Sequence, residues 1–458
     1  MGNFVTLFFV FPLLALPFFS GADMSGDVGV CYGQLGNNLP NPTQSVDIIR
    51  HKLHAKRVKL YDANPAMLNA LRNTNIQVSV MVPNELIPAI STHQSEADKW
   101  VMTHVVPYCN ETMIRYLLVG NEVLSNKPDS TWTRLVPAMH KIRQSVKSFK
   151  LNKIKVGTPL AMDMLESSFP PSNGTFRGDL VDAVIKPLLD FLRKSRSFFF
   201  IDVYTYFAWK GQPDGTIPLD RALLLPTNRE PYVDLGSGLK YTHLLDQMID
   251  AVFAAMERAG YPDVRIFVAE TGWPSSGGPG ATICNAAVYN RNAVKKLAGK
   301  AGTPARPGVL IPAFVFALYN ENQKPGEETE RNFGLFYPTG SSVYDIDLSG
   351  KTEYKAPPEA ETCGGGKRWC VVANGADPAA VAGALSYACG QGDRVCGPIQ
   401  EGGECYKAED LNHDANYAFS SYWAQFRTSN GTCDFNGVAV VTSTDPSYDK
   451  CMFPSVEI

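Results

Sequence analysis

Histidine is scarce in this chain: there are seven in 458 residues, and none sits where a catalytic or metal-binding one is needed. No His-x-His and no His-Glu-x-x-His pattern occurs, which disfavours serine- and metal-dependent hydrolysis; no metal site is expected. No Lys/Arg run is long enough for a nucleic-acid footprint, and the net charge of −3 carries no bias towards a polyanion. A Gly-rich phosphate fingerprint is also missing, since Gly33-Gln-Leu-Gly36-Asn-Asn is not one. Neither nucleic acid nor a cofactor is therefore expected. Cysteine is nearly absent from the first three-quarters of the chain. Residues from about 27 to 347 carry only Cys31, Cys109 and Cys284.

The remaining composition is that of a globular protein, with 45% hydrophobic and 19% charged residues. The length allows a large domain plus a small one. Residues 4–20 are almost wholly apolar, and Ser20 and Ala22 are small and fit a cleavage site before Asp23. Residues 1–22 thus read as a secretory signal peptide, although the first residues carry no Lys or Arg. Met1-Gly2-Asn-Phe-Val-Thr6 also fits the myristoylation pattern, but the apolar run that follows favours export. As a membrane span that run is short and interrupted by Pro12 and Pro17, so no transmembrane segment is expected in the mature chain. Asn110, Asn173 and Asn430 each open an Asn-x-Thr glycan acceptor triplet. The destination implied is extracellular, the cell wall or apoplast, with the vacuole as an alternative. No hydrophobic tail for a lipid anchor follows residue 451.

Cysteine then crowds the end of the chain: seven of the ten lie beyond residue 362. Residues 349–367 contain Pro357, Pro358 and Gly364, Gly365 and Gly366, the composition of a linker. This gives a large domain at 23–348 and a small one at 368–458. In the small one, Cys370, Cys389, Cys396, Cys405, Cys433 and Cys451 imply three disulfides, with fifteen pairings possible. A zinc site is a poor fit, because no Cys-x-x-Cys pair occurs there and His413 is the only histidine.

The large domain shows eight short apolar runs, at 28–32, 57–61, 76–82, 114–119, 154–157, 198–204, 265–269 and 311–319. Amphipathic stretches such as 46–53, 135–148 and 244–259 separate most of them. Alternating strand and helix patterns imply a parallel sheet covered by helices. Eight units over about 320 residues fit a (β/α)8 barrel, an α/β fold, better than an open sheet. The carboxyl ends of these runs carry acids, amides and aromatics. Run four ends in Gly120-Asn121-Glu122, run six in Tyr204 and Tyr206, run seven in Glu270 and Trp273. Run eight ends in Tyr319, Asn320, Glu321, Asn322 and Lys324. Two carboxylates at matching strand ends, flanked by aromatic rings, are what glycosidic cleavage requires: one acid protonates the leaving oxygen, the other attacks the anomeric carbon or activates water. Rings supply flat apolar faces for sugars, and Asn and Lys can bind hydroxyls.

Val268-Ala-Glu270-Thr-Gly-Trp-Pro-Ser-Ser-Gly277 resembles the signature of glycoside hydrolase family 17, the plant endo-1,3-β-glucosidases and their relatives. Val30-Cys-Tyr-Gly33, Val119-Gly-Asn-Glu122, Gly302-Thr-Pro-Ala-Arg-Pro-Gly308, Asn320-Glu-Asn-Gln-Lys-Pro325 and Glu330-Arg-Asn-Phe-Gly-Leu-Phe336 are similar to its other motifs, in the family's order. The resemblance implies Glu270 as nucleophile and Glu122 as acid/base in a retaining mechanism. It places Tyr32, Asn121, Tyr204, Trp273, Glu321, Lys324 and Glu330 around the sugar, with Trp273 equally suited to the core and Glu330 to a structural ion pair. One departure stands out. After run six the chain reads Asp202-Val-Tyr-Thr-Tyr206, where the family more often has Asn first and Pro fourth. Thr205 in place of proline frees an N–H, which is expected to loosen the turn.

The cysteine-rich segment resembles a family 43 carbohydrate-binding module. Trp369-Cys-Val-Val, Tyr387-Ala-Cys-Gly, Tyr417-Ala-Phe-Ser-Ser-Tyr422-Trp and Cys433-Asp-Phe carry that similarity. The resemblance implies β-1,3-glucan binding and the pairing Cys370–Cys433, Cys389–Cys451 and Cys396–Cys405, with Tyr406, Tyr417, Tyr422 and Trp423 as candidate stacking rings. The expectation is a secreted, monomeric endo-hydrolase of β-1,3-glucan polysaccharide. A β-1,3-glucanosyltransferase and a non-catalytic wall-binding protein are the alternatives.

Overall fold

A computed structural model of the chain describes residues 27–354 and 367–457, apart from 126–129, 213–215, 227–228, 374, 409, 427–430 and 443. The expected signal peptide, most of the linker and Asn430 lie outside the described residues. The expected parallel barrel is present. Its strands are Val28–Tyr32 (β1), Arg57–Leu60 (β2), Gln77–Val82 (β3), Met113–Val119 (β4), a fifth broken at Thr158 into Lys155–Gly157 and Pro159–Ala161 (β5), Phe198–Asp202 (β6), Arg265–Thr271 (β7) and Ala313–Val315 (β8). Each pairs in parallel with the next, and β8 pairs with β1. The two halves of β5 complete the cylinder, because Lys155–Gly157 pairs with β4 and Pro159–Ala161 with β6.

Alternation along the strands divides two cores. Val28 and Val30, Val58 and Leu60, Phe199 and Ile201, Ile266 and Val268 face the outer helices. Cys31, Met81, Tyr116, Leu118, Phe198, Phe200, Phe267, Phe314 and Phe316 fill the inside. The filling is aromatic: the Phe267 ring stacks on Phe200 at 5.1 Å and on Phe314 at 5.1 Å. Arg57 and Lys59 also lie wholly buried, two residues apart on β2, so the same period of two sends both cations inward. Arg57 sits 5.6 Å from the centre of the Phe267 ring. Of the helices expected at 46–53, 135–148 and 244–259, the structure has Pro42–Asp47 continuing into Ile48–Lys52, then Ser130–Ser148 and Leu244–Arg258. The eighth apolar run is strand only over Ala313–Val315.

Thr205 is buried, opens the helix Thr205–Lys210, and its hydroxyl donates to the Ala222 carbonyl at 2.9 Å. The freed N–H lies in the first turn of a helix, where no intrahelical partner is needed.

The cysteine-rich segment builds its own small core around Trp369, Tyr417, Phe419, Trp423 and Phe453. Lys367–Val372 (β9) pairs antiparallel with Ala439–Thr442 (β10) and Val456–Glu457 (β11). Helices Pro378–Cys389 and Leu411–Phe426 pack beside them. All six cysteines are bridged, and Cys370–Cys433 is as expected. The other two expected pairings are corrected: the bridges are Cys389–Cys396 and Cys405–Cys451. Cys389 ends one helix, and the short helical turn Asp393–Cys396 brings Cys396 back to it, with Cα atoms 5.3 Å apart.

Candidate active site

Both strand-end acids open onto one groove of about 790 Å³. Tyr61, Asn121, Glu122, Asp202, Tyr204, Glu270, Phe316, Lys324, Glu330 and Phe333 are among its lining residues. Glu270 reaches it through a fault in its strand. Ala269 already faces the barrel interior, so strict alternation would turn Glu270 outward. The register of β7 against β6 shifts between Val268 and Glu270, and such a bulge re-aims a side chain. Glu122 is held differently. It follows Gly120 (φ 72°) and itself adopts a left-handed φ of 48°, a conformation that costs energy in a non-glycine residue and clusters at functional sites. Its N–H donates to the Pro159 carbonyl on β5 at 3.0 Å. Asn84 braces the preceding residue, accepting from the Asn121 N–H at 2.8 Å and donating to its carbonyl at 3.0 Å.

The two acids sit in opposite electrostatic states. Glu270 is 6% exposed. Burial alone would favour its neutral form, but the Lys59 charge and the hydrogen bonds from Lys59, Tyr204 and Tyr61 together outweigh it, and the carboxyl is held below its ordinary range. The Lys59 ammonium donates to Oε1 at 2.6 Å, and the hydroxyls of Tyr61 and Tyr204 donate at 2.5 and 2.6 Å. Charge-assisted bonds of this kind favour the ionised carboxylate. Glu122 is raised to about 7, first by burial and then by the charge of Glu270. One acid is thus charged and the other protonated around pH 6, the division of labour that acid–base chemistry requires.

Of the other residues expected at the site, Tyr204, Asn121, Lys324 and Glu330 line the groove. Lys324 pairs with Glu330 at 2.9 Å and lies 4.1 Å from the centre of the Phe316 ring. Glu321 is buried behind the wall, where its carboxylate accepts from the Leu35 N–H at 2.8 Å. Gly33 allows this approach, since a Cβ there would meet that carboxylate at 2.3 Å. Tyr32 is buried edge-on to Tyr319 at 6.2 Å. Trp273 is fully buried among Tyr206, Trp209 and Tyr289, its indole N–H donating to the Gly280 carbonyl at 2.8 Å. It braces a loop and does not face the groove.

Sequence reasoning missed Lys59, Tyr61, Phe316 and Phe333. A signal for Lys59 was present: Arg57-Val-Lys-Leu60 alternates cations with apolar residues inside a buried strand, so both cations must point into the barrel. Among the described residues, no group of three or more His, Cys, Asp or Glu could hold a metal ion, and no helix is long and apolar enough to cross a membrane. Of the glycan acceptors, Asn110 and Asn173 are exposed. In the small domain, Tyr417 and Trp423 belong to the core, whereas Tyr406 is 48% exposed. Tyr422 shares a groove with Tyr387, Asp434, Phe435 and Asn436. Tyr387, 54% exposed and 5.9 Å from Tyr422, is a ring that sequence reasoning did not single out.

Residues 28–348 match glycosyl hydrolases family 17, and residues 368–440 match the X8 domain. The chain is 46% identical over 446 residues to a probable glucan endo-1,3-beta-glucosidase A6 of Arabidopsis thaliana, covering 95% of this chain and 92% of that one. It is 36% identical to a glucan endo-1,3-beta-D-glucosidase of Olea europaea, covering 98% and 97%. Among solved structures, a beta-1,3-glucanase and allergen of Cryptomeria japonica pollen is 41% identical, with a TM-score of 0.67, covering 70% of this chain and 99% of that one. A plant beta-glucan endohydrolase superposes with a TM-score of 0.64 at 34% identity over the same shares. A barrel with two opposed acids, matched over its whole length and followed by an X8 domain, makes this chain a glycoside hydrolase that belongs to glycosyl hydrolases family 17.

Proposed function

We propose that the protein is an exported endo-hydrolase of β-1,3-glucan that works by double displacement with retention of configuration. The observation that carries this reading is the opposed state of the two acids in one groove: Glu270 ionised by Lys59 and two tyrosines, Glu122 protonated near neutral pH. In this reading Glu122 gives its proton to the glycosidic oxygen while Glu270 attacks the anomeric carbon. Glu122, now a carboxylate, then draws a proton from water, which attacks and releases Glu270. Lys59, Tyr61 and Tyr204 keep the nucleophile charged and fix its direction. Asn121, beside Glu122, is suited to the hydroxyl next to the reacting carbon. Phe316 and Phe333 offer apolar faces.

The substrate follows from the relatives, whose names give endo-1,3-β-glucosidase activity. The X8 domain is proposed to hold the same polymer in the groove of Tyr387 and Tyr422. Export is supported by the apolar N-terminal run and the three bridges of that domain. The test is the anomeric configuration of the first sugar released from a soluble β-1,3-glucan, followed by proton NMR before mutarotation. The β anomer is expected. The α anomer, or no release at all, overturns the mechanism or the activity respectively.

A further inference from the structure

Asp202 is the group that the mechanism leaves unused, and it sits next to the nucleophile. It ends β6 and lies in register with Glu270 across the ladder. Its side chain has no exposure, and the Lys59 ammonium, equally buried, is 3.9 Å away. Neither carboxyl oxygen accepts a hydrogen bond among the described residues. Glu270 receives three such bonds in the same cavity. The charged or titratable groups around Asp202 are Glu270 on β7, Lys59 on β2, Glu122 after β4, Cys31 on β1 and Tyr204 after β6.

One cation cannot serve two buried anions equally. Lys59 has made its choice in geometry: 2.6 Å to Glu270 against 3.9 Å to Asp202. An ionised Asp202 would be a desolvated carboxylate with no donor, which proteins avoid by keeping the proton. We propose that Asp202 is carried as a neutral acid, a positioning residue whose retained proton leaves the whole charge of Lys59 to Glu270. Burial and the Glu270 charge act in the same direction, raising Asp202 well above the carboxylate range. The role, though not the protonation, rests on Glu270 being the nucleophile.

The sign of the linkage gives the test. A carboxyl with a raised folded-state pKa binds a proton that the unfolded chain has already lost. From about pH 4 upward, wild type therefore loses stability relative to a variant with a neutral side chain at this position, by about tenfold in the folding constant per pH unit. The experiment is urea unfolding of the full chain and of Asp202→Asn and Asp202→Ser, followed by tryptophan fluorescence from pH 4 to 7. The expected result is that tenfold slope in the ratio of wild type to either variant. The kcat/KM profile of Asp202→Asn on soluble β-1,3-glucan should keep both limbs where wild type has them. A flat ratio overturns the proposal. So do limbs displaced to lower pH, because removing a real anion would let Glu270 and Glu122 ionise earlier. Failure of both variants to fold overturns it as well, since a neutral group would then not replace a neutral acid. A wild type that shows the slope but never cleaves the glucan retains the neutral acid and loses the catalytic reading.

Discussion

At the scale of single residues, one lysine decides the state of Glu270. Lys59 is fully buried, and its ammonium donates to the Glu270 carboxylate at 2.6 Å. Replacing it by methionine strands Glu270 in a low-dielectric site. Breaking a buried pair in this way costs about 3–5 kcal/mol, visible as a lower urea midpoint. The Glu270 pKa rises with it, so the acid limb of kcat/KM should move to higher pH. Glu270→Gln is nearly isosteric and should keep the fold while lowering kcat about 10³-fold or more, read as sugar release per enzyme. In the proposed mechanism the alkaline limb belongs to Glu122. Its folded pKa is about 7, and it is needed protonated, so the active form declines as pH rises through that value. An aryl β-glucoside with a good leaving group needs less protonation, and its limb should be shallower or absent. The strand-end acids were legible in the sequence because an apolar run pointed straight at each. Lys59 has a signal in its alternation with Val58 and Leu60, but a cation buried mid-strand makes sense only once the cylinder closes around it.

At the scale of elements, the apolar runs gave the strands, but neither their inner and outer faces nor their irregularities. The bulge that turns Glu270 inward and the left-handed backbone at Glu122 carry no composition signal of their own, because both are imposed by neighbouring strands. Aromatic side chains were the other limit. Trp273, Tyr417 and Trp423 resemble sugar platforms in one dimension and turn out to be buried. The bridges of the small domain differ in the chain they enclose: the sequence separation is 63 for Cys370–Cys433 and 7 for Cys389–Cys396. By loop entropy, losing the first should cost about 4 kcal/mol and losing the second about 2 kcal/mol. Thermal unfolding of the two paired Cys→Ser variants measures the order. Peptide mapping under non-reducing conditions checks the connectivity, and a Cys389–Cys451 peptide would contradict it.

At the scale of the whole molecule, two cores in one chain suggest two tasks. The solved relatives are matched over 99% of their length by only 70% of this chain, so a barrel of this family stands without an X8 partner. Deleting residues 363–458 should therefore leave cleavage of short soluble β-1,3-oligosaccharides within about threefold of wild type. Action on insoluble glucan should fall by tenfold or more, because tethering raises the local concentration of polymer. Equal losses on both substrates would contradict a tethering role. The division into two domains was expected from cysteine density and the Pro/Gly-rich stretch between them. The exposed ring at Tyr387 was not, because only folding shows which side of a helix meets water.

The break at Thr158 has a consequence for how the molecule fails. Closed cylinders offer no free edge to other chains, yet here the closure hangs on two three-residue segments that grip opposite neighbours. Gly157 stands at that joint with the Phe200 ring where a Cβ would be, 2.3 Å away. A methyl at this point acts as a wedge. Gly157→Ala should spring the seam, expose two unpaired edges at once, and turn the folded chain into an aggregating species before its helices melt.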